Sequence, residues 1–138
     1  MPRLLALDPG TVTVGLAVTD PTGALARPLA AIPRRPHGAF LERLASYLEE
    51  YGVEEIILGL PLETDGKKGK AAQRALSLAF ELEKRLKLPV RAVDESYTTL
   101  EAEELLRGPL KKRAGDPGAK DKIAAALILE RHLGLRRS

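Results

Sequence analysis

Arg3-Leu4-Leu5-Ala6-Leu7-Asp8-Pro9-Gly10, followed directly by Thr11-Val12-Thr13-Val14-Gly15-Leu16-Ala17-Val18-Thr19-Asp20, decides how the rest of the chain is arranged. The apolar run Leu4 to Leu7 suits a strand buried on both faces at the centre of a sheet. It ends on a carboxylate, and Pro9-Gly10 then turns the chain sharply. Val12 to Val18, built from small and β-branched residues, reads as a second strand hairpinned to the first. An aspartate at the end of a central strand is costly to bury unless it is paired, hydrogen-bonded or bound to a cation. Asp8 either caps its turn or belongs to a site, and this stretch alone leaves both readings open.

Downstream, Asp20-Pro21-Thr22-Gly23 is a turn, because proline presets φ and glycine accepts a positive one. Ala24 to Ile32 reads as a third strand, placed on an edge by Pro28. Pro33 to Gly38 is a loop. Phe40, Leu41, Leu44, Leu48 and Tyr51 recur at helical spacing until Gly52 stops the helix. Val53 to Leu60 is a fourth strand, and Gly59-Leu60-Pro61-Leu62-Glu63-Thr64-Asp65-Gly66 a loop after it. A helix from Lys70 to Leu86 carries Ala75, Leu78, Ala79, Leu82 and Leu86 on one face. Pro89 to Val93 is a fifth strand, running into Asp94-Glu95-Ser96-Tyr97-Thr98-Thr99. A short helix over Leu100 to Arg107, a Gly-, Pro- and Lys-rich loop over Gly108 to Ala119, and a last helix from Asp121 to Leu133 complete the chain.

Three antiparallel strands followed by two right-handed crossovers predict an α/β fold. Its five-stranded mixed sheet has order 3-2-1-4-5, strand 2 antiparallel to its neighbours, and helices on both faces. In such sheets the site lies at the carboxyl ends of the central parallel strands. Asp8, the Gly59–Gly66 loop and Asp94-Glu95 all fall there.

The 138 residues suit one domain spanning 1–138. A hydrophobic fraction of 44% with 30% charged residues marks a soluble globular chain. There is no apolar run long enough to cross a membrane and no signal-peptide pattern, so a cytoplasmic location is expected. Cysteine is absent and histidine occurs twice, which excludes disulfides and thiolate sites and argues against zinc. The formal charge is only +3, but basic residues cluster: Arg34-Arg35, Lys67-Lys68-x-Lys70, Lys111-Lys112-Arg113, Lys120-x-Lys122 and Arg136-Arg137. Such clusters in or beside loops suit a phosphate backbone, or are simply solvated surface.

Taken singly, Asp94-Glu95 reads as an acidic pair before a helix, and Asp121 as a first-turn acid. Gathered with Asp8, these carboxylates would repel one another unless a cation neutralised them. All-oxygen ligands point to Mg²⁺ or Mn²⁺. Two such ions roughly 3.5–4 Å apart are the usual device for in-line phosphodiester hydrolysis.

From Leu4 to Leu133 the chain resembles the YqgF, or RuvX-like, family of Holliday-junction resolvases and pre-16S rRNA nucleases, within the ribonuclease H-like superfamily. The matching stretches are Asp8-Pro9-Gly10 through Gly15-Leu16-Ala17-Val18, then Gly59-Leu60-Pro61-Leu62 with Asp65-Gly66. They continue with Asp94-Glu95-Ser96-x-Thr98-Thr99 and end with Asp121-Lys122-x-Ala124-Ala125-Ala126-x-Ile128-Leu129. The resemblance implies a metal-dependent hydrolase with Asp8, Glu95 and Asp121 as catalytic acids and metal ligands. Asp8 would bridge two Mg²⁺ or Mn²⁺ ions, and Asp94 is a further candidate ligand. Thr11, Lys67, Lys68, Lys111, Lys112, Arg113 and Lys120 are candidate nucleic-acid contacts, and Thr13 is a weaker one beside Asp8. Ser96 stands where the family usually has arginine, so a phosphate-contacting guanidinium is missing. Lys67, Lys68 or Lys112 are candidates to replace it. Glu63 stands where asparagine is common.

The activity implied is cleavage at the 5′ end of pre-16S rRNA, in ribosome biogenesis. The alternative is resolution of branched DNA in recombination and repair; a further one is a non-catalytic nucleic-acid-binding module. Either a monomer or a homodimer is compatible with these. Asp8-x-Gly10-Thr11 also resembles the phosphate loop of sugar kinases and actin-like ATPases. Those need two lobes of this fold, and this chain supplies one.

Overall fold

The computed structural model describes residues 2–10, 12–60, 69–94 and 118–137. Strands β1 (Arg3–Pro9), β2 (Thr13–Thr19) and β3 (Ala26–Pro33) come first, then helix α1 (His37–Glu50). Strand β4 (Val53–Leu60), helix α2 (Lys70–Leu86), strand β5 (Val90–Asp94) and helix α3 (Ala119–Arg137) follow. The sheet order is β3-β2-β1-β4-β5, with β2 antiparallel to β1 and β3, and β4 parallel to both β1 and β5. This is the expected topology. The strand ends shift by a few residues: β3 starts at Ala26 rather than Ala24, and β5 runs one residue further, to Asp94. The short helix expected over Leu100 to Arg107 lies outside the described residues.

β1 is buried on both sides, as its unbroken apolar run requires. Leu5 and Leu7 pack with Val14, Leu16, Ile56, Leu58 and the inner faces of α1 and α2. Leu4 and Ala6 point the other way, to Ala17, Ile57 and the α3 residues Ala125, Ile128 and Leu129. Side-chain alternation along a strand therefore defines two faces, one covered by α1 and α2, the other by α3. Pro28 does lie on an edge strand, and beside it the β2–β3 register slips, with Leu16 opposite Ala30 but Ala17 opposite Pro28. The lost ladder donor is absorbed by that irregularity.

Helix α1 ends at Gly52, whose φ of 60° few other residues tolerate. Helix α2 ends on Lys87, also left-handed, at φ 55°. At the far end of the sheet from Asp8, Asp20 organises the β2–β3 turn. It accepts hydrogen bonds from the Thr22 hydroxyl and from the Ala24 and Leu25 amides, and Gly23 adopts φ 75°.

These donors, with the Leu25 amide first and the Thr22 hydroxyl next, hold the Asp20 carboxyl below its ordinary value, aided by the Arg27 charge and opposed by desolvation. A depressed folded-state pKa contributes stability above the unfolded-state value, and that stability is lost as pH falls through the folded one. Wild type should therefore melt above Asp20→Asn at pH 7. The gap should close in thermal scans taken below about pH 4. A gap independent of pH would contradict this.

Candidate active site at the carboxyl edge of the sheet

Asp8 is the penultimate residue of β1 and is only 8% exposed. Two and four residues earlier, Ala6 and Leu4 face α3, so alternation assigns Asp8 to the α3 side. Its cross-strand partner is Gly15. Paired residues of antiparallel strands have Cα atoms about 4.5–5.5 Å apart. Gly15 leaves an opening beside Asp8, and the first turn of α3 occupies it. A Cβ built at Gly15 would sit 2.0 Å from the Asp121 carbonyl oxygen and 2.4 Å from its carbonyl carbon. The helix backbone thus rests on the sheet at the position opposite Asp8. Thr13, two residues before Gly15 and on the same face, donates its hydroxyl to Asp121 Oδ2.

The sequence of α3 permits this approach. Ala124, Ala125 and Ala126 are all buried and carry little side chain to hold the helix off the sheet. Its lead-in, Gly118, has φ 78°, and a Cβ there would meet the Ala31 Cβ at 2.2 Å. The Gly118 carbonyl accepts from the Lys122 amide and opens the helix. Asp121 then sits in the first turn, where the positive end of the helix dipole favours an anion. Its expected role as a first-turn acid and its place beside Asp8 are compatible.

The Asp8-Pro9-Gly10 turn is held from the other side. The Gly10 amide donates to the Thr13 carbonyl at 2.9 Å, and Arg34 Nη1 donates to the Gly10 carbonyl at 2.7 Å. The Arg34 amide also donates to Val12 O at 2.9 Å. In the sequence Arg34 stands out only as part of the Arg34-Arg35 basic cluster. Its anchoring role depends on β3 lying beside β2, which no local signal near Arg34 announces.

Asp94 closes β5 opposite Leu60, a residue of the α1/α2 face, whereas Val93 packs on the α3 side. Asp94 is therefore exposed on the face away from Asp8 and Asp121. Lys120 is exposed in the first turn of α3, near Asp121. Glu95, Thr11, Lys67, Lys68, Lys111, Lys112 and Arg113 lie outside the described residues, as does Ser96. Among the described residues no three acidic or histidine side chains gather into a metal-binding cluster. Two of the three expected acids, Asp8 and Asp121, are brought to one point of the sheet. No helix among those residues is long and apolar enough to cross a membrane.

Residues 2–134 match the family described as RuvX, Holliday junction resolvase. The chain belongs to the RuvX family. RuvX relatives include a protein of Mycobacterium ulcerans named "Putative pre-16S rRNA nuclease", 39% identical over 137 residues, covering 99% of this chain and 81% of that one. A protein of Pelotomaculum thermopropionicum with the same name is 41% identical over 132 residues, covering 95% and 86%. Among solved structures, Thermus thermophilus RuvC in complex with a Holliday junction substrate superposes with a TM-score of 0.60 at 21% identity, covering 100% and 97%. That likeness establishes the ribonuclease H-like fold. RuvX membership makes the chain a nuclease of the hydrolase class.

Proposed function

We propose that this RuvX protein is a divalent-metal-dependent endonuclease that trims the 5′ end of pre-16S rRNA, with Asp8, Glu95 and Asp121 as its catalytic acids. The observation that carries this reading is the seating of Asp121 against Gly15, opposite Asp8 in the strand register. Two carboxylates separated by more than a hundred residues of sequence are held at one sheet edge, which a first-turn role for Asp121 does not by itself require. The Thr13 hydroxyl engages Oδ2 of Asp121 and leaves Oδ1 for a ligand.

The donor set fits the expected ions. Asp8 and Asp121 offer only hard carboxylate oxygens, to which Glu95 would add another, and the chain has no cysteine. When bound, a pair of Mg²⁺ or Mn²⁺ ions would supply a hydroxide nucleophile near neutral pH and stabilise the leaving oxygen. The chain's own residues do the positioning. Thr13 fixes the Asp121 rotamer, and Arg34 fixes the turn after Asp8. The α3 N-terminus and the exposed Lys120 attract the phosphodiester. Asp94 lies on the opposite face, which favours Glu95 over it as the third acid.

Resolution of branched DNA is the second reading, favoured by the RuvX family description itself. Purified protein incubated with a 16S precursor RNA and with a four-way DNA junction, in Mg²⁺, Mn²⁺ or EDTA, separates them. The expected result is cleavage of the RNA 5′ leader in either metal and none in EDTA. Cutting of the junction alone would select the resolvase. Binding without cutting in every condition would leave a non-catalytic module.

A further inference from the structure

On the α1/α2 side of the same sheet edge lies a cleft of about 220 Å³ lined by Val14, Arg34, His37, Arg74, Ser77 and Glu81. Its floor is apolar, and its walls carry charge. His37 Nε2 lies 2.9 Å from Glu81, and Arg85 Nε lies 3.2 Å from the same carboxylate, so Glu81 is already engaged. Arg34 spends Nη1 on the Gly10 carbonyl. Arg74 makes no ion pair or hydrogen bond with any described residue. It is exposed one helical turn before Ser77, whose hydroxyl shares its face of α2. Helix α1 begins here too, and its N-cap, Pro36, offers no side-chain acceptor to the first-turn amides.

Two guanidiniums, a hydroxyl and an imidazole around an open cleft, with the one carboxylate satisfied by its neighbours, match a phosphate group better than a neutral or cationic ligand. At about 30 Å³ per water, the cleft has room for a phosphate with some of its hydration. Its position gives that anion a source. Arg34 links the cleft to Gly10, two residues past Asp8, so cleft and acids flank one turn from opposite faces of the sheet.

We propose that this cleft is a second phosphate-binding subsite, in which Arg74 and Arg34 hold a backbone phosphate of the nucleic acid whose scissile phosphate lies at Asp8. The proposal rests on the nuclease reading above, and nothing in the acid site requires it.

The test uses Arg74→Ala and Arg74→Lys, because Arg34 also anchors the Asp8 turn. Binding of single-stranded precursor RNA and of a four-way DNA junction is followed by anisotropy in EDTA across a salt series. Arg74→Ala should weaken binding about tenfold. Its log Kd against log salt slope should be shallower by about 0.7 on single strands and about 0.9 on duplex arms. Arg74→Lys should recover the slope but only part of the affinity, and the metal-dependent kcat at saturating substrate should stay near wild type. Unchanged affinity and slope in Arg74→Ala, with wild type binding normally, would overturn the subsite and leave the nuclease reading intact. Titration with inorganic phosphate alone provides a second arm. Phosphate bound through Arg74 with nucleic-acid affinity unaffected would make this a free-anion site, against the proposal. Wild-type protein that binds neither nucleic acid would overturn the parent reading and the subsite together.

Discussion

Asp8→Asn is expected to reduce metal-dependent cleavage by about three powers of ten or more while leaving the fold intact. Metal-assisted stabilisation of the transition state is worth several kcal/mol, and each 1.36 kcal/mol is a tenfold change in rate. Asparagine keeps the shape and one carbonyl acceptor but removes the charge that would hold a divalent cation. Asp8 is only 8% exposed, and asparagine matches its volume, so the packing around the position is kept. The variant should therefore melt close to metal-free wild type. Cleavage rates in Mg²⁺ alongside thermal scans with and without metal separate the two effects. Residual activity within tenfold of wild type would exclude Asp8 as an acid that holds the metal.

Gly15→Ala should produce the second large effect, without touching an ionisable group. A methyl at this position would lie 2.0 Å from backbone oxygen and 2.4 Å from backbone carbon of Asp121, so α3 or β2 must move. Overpacking of this kind costs about 1–3 kcal/mol of stability. The functional loss is expected to be larger. A displacement of order 1 Å between groups that act together can cost about a hundredfold in rate. The Thr13–Asp121 hydrogen bond should break in the same variant. Circular dichroism and a thermal midpoint establish that the protein folds, and cleavage at saturating Mg²⁺ reads the displacement. Thr13→Val provides a milder comparison, since it removes the bond without adding volume at Gly15. If Gly15→Ala retained wild-type cleavage, the close approach of α3 would not be what positions Asp121.

Much of this architecture is legible in the amino-acid chain alone. The helix Lys70–Leu86 and the strand Val53–Leu60 have the expected bounds, because local rules act there without competition. The helix shows a strong apolar period, and the strand follows directly on a left-handed glycine. Sheet order followed from connection lengths and crossover handedness, which depend on chirality rather than on particular residues. The strand ends that depart from the local reading, at β3 and β5, are decided by ladder partners. β5 extends to Asp94 because Leu60 of β4 is there to pair with it.

By itself, then, the sequence determined the α/β class, the strand order, the family, and the sheet edge at which Asp8 stands. These depend on periodicity, turn chemistry and motif spacing, all carried by near neighbours along the chain. Tertiary structure decided where Asp121 sits relative to that edge. Thr13 and Asp121 are bonded across a separation of 108 residues, and Gly15 is their seat only because α3 crosses β2 at that point. Asp94 is turned away from Asp8 by its register with Leu60, and Arg34 anchors the turn after Asp8 because β3 lies alongside β2. Each of these is a contact between residues distant in sequence. Its geometry is set by how two packed elements cross, to within an ångström or so, and no local pattern of residues encodes that distance.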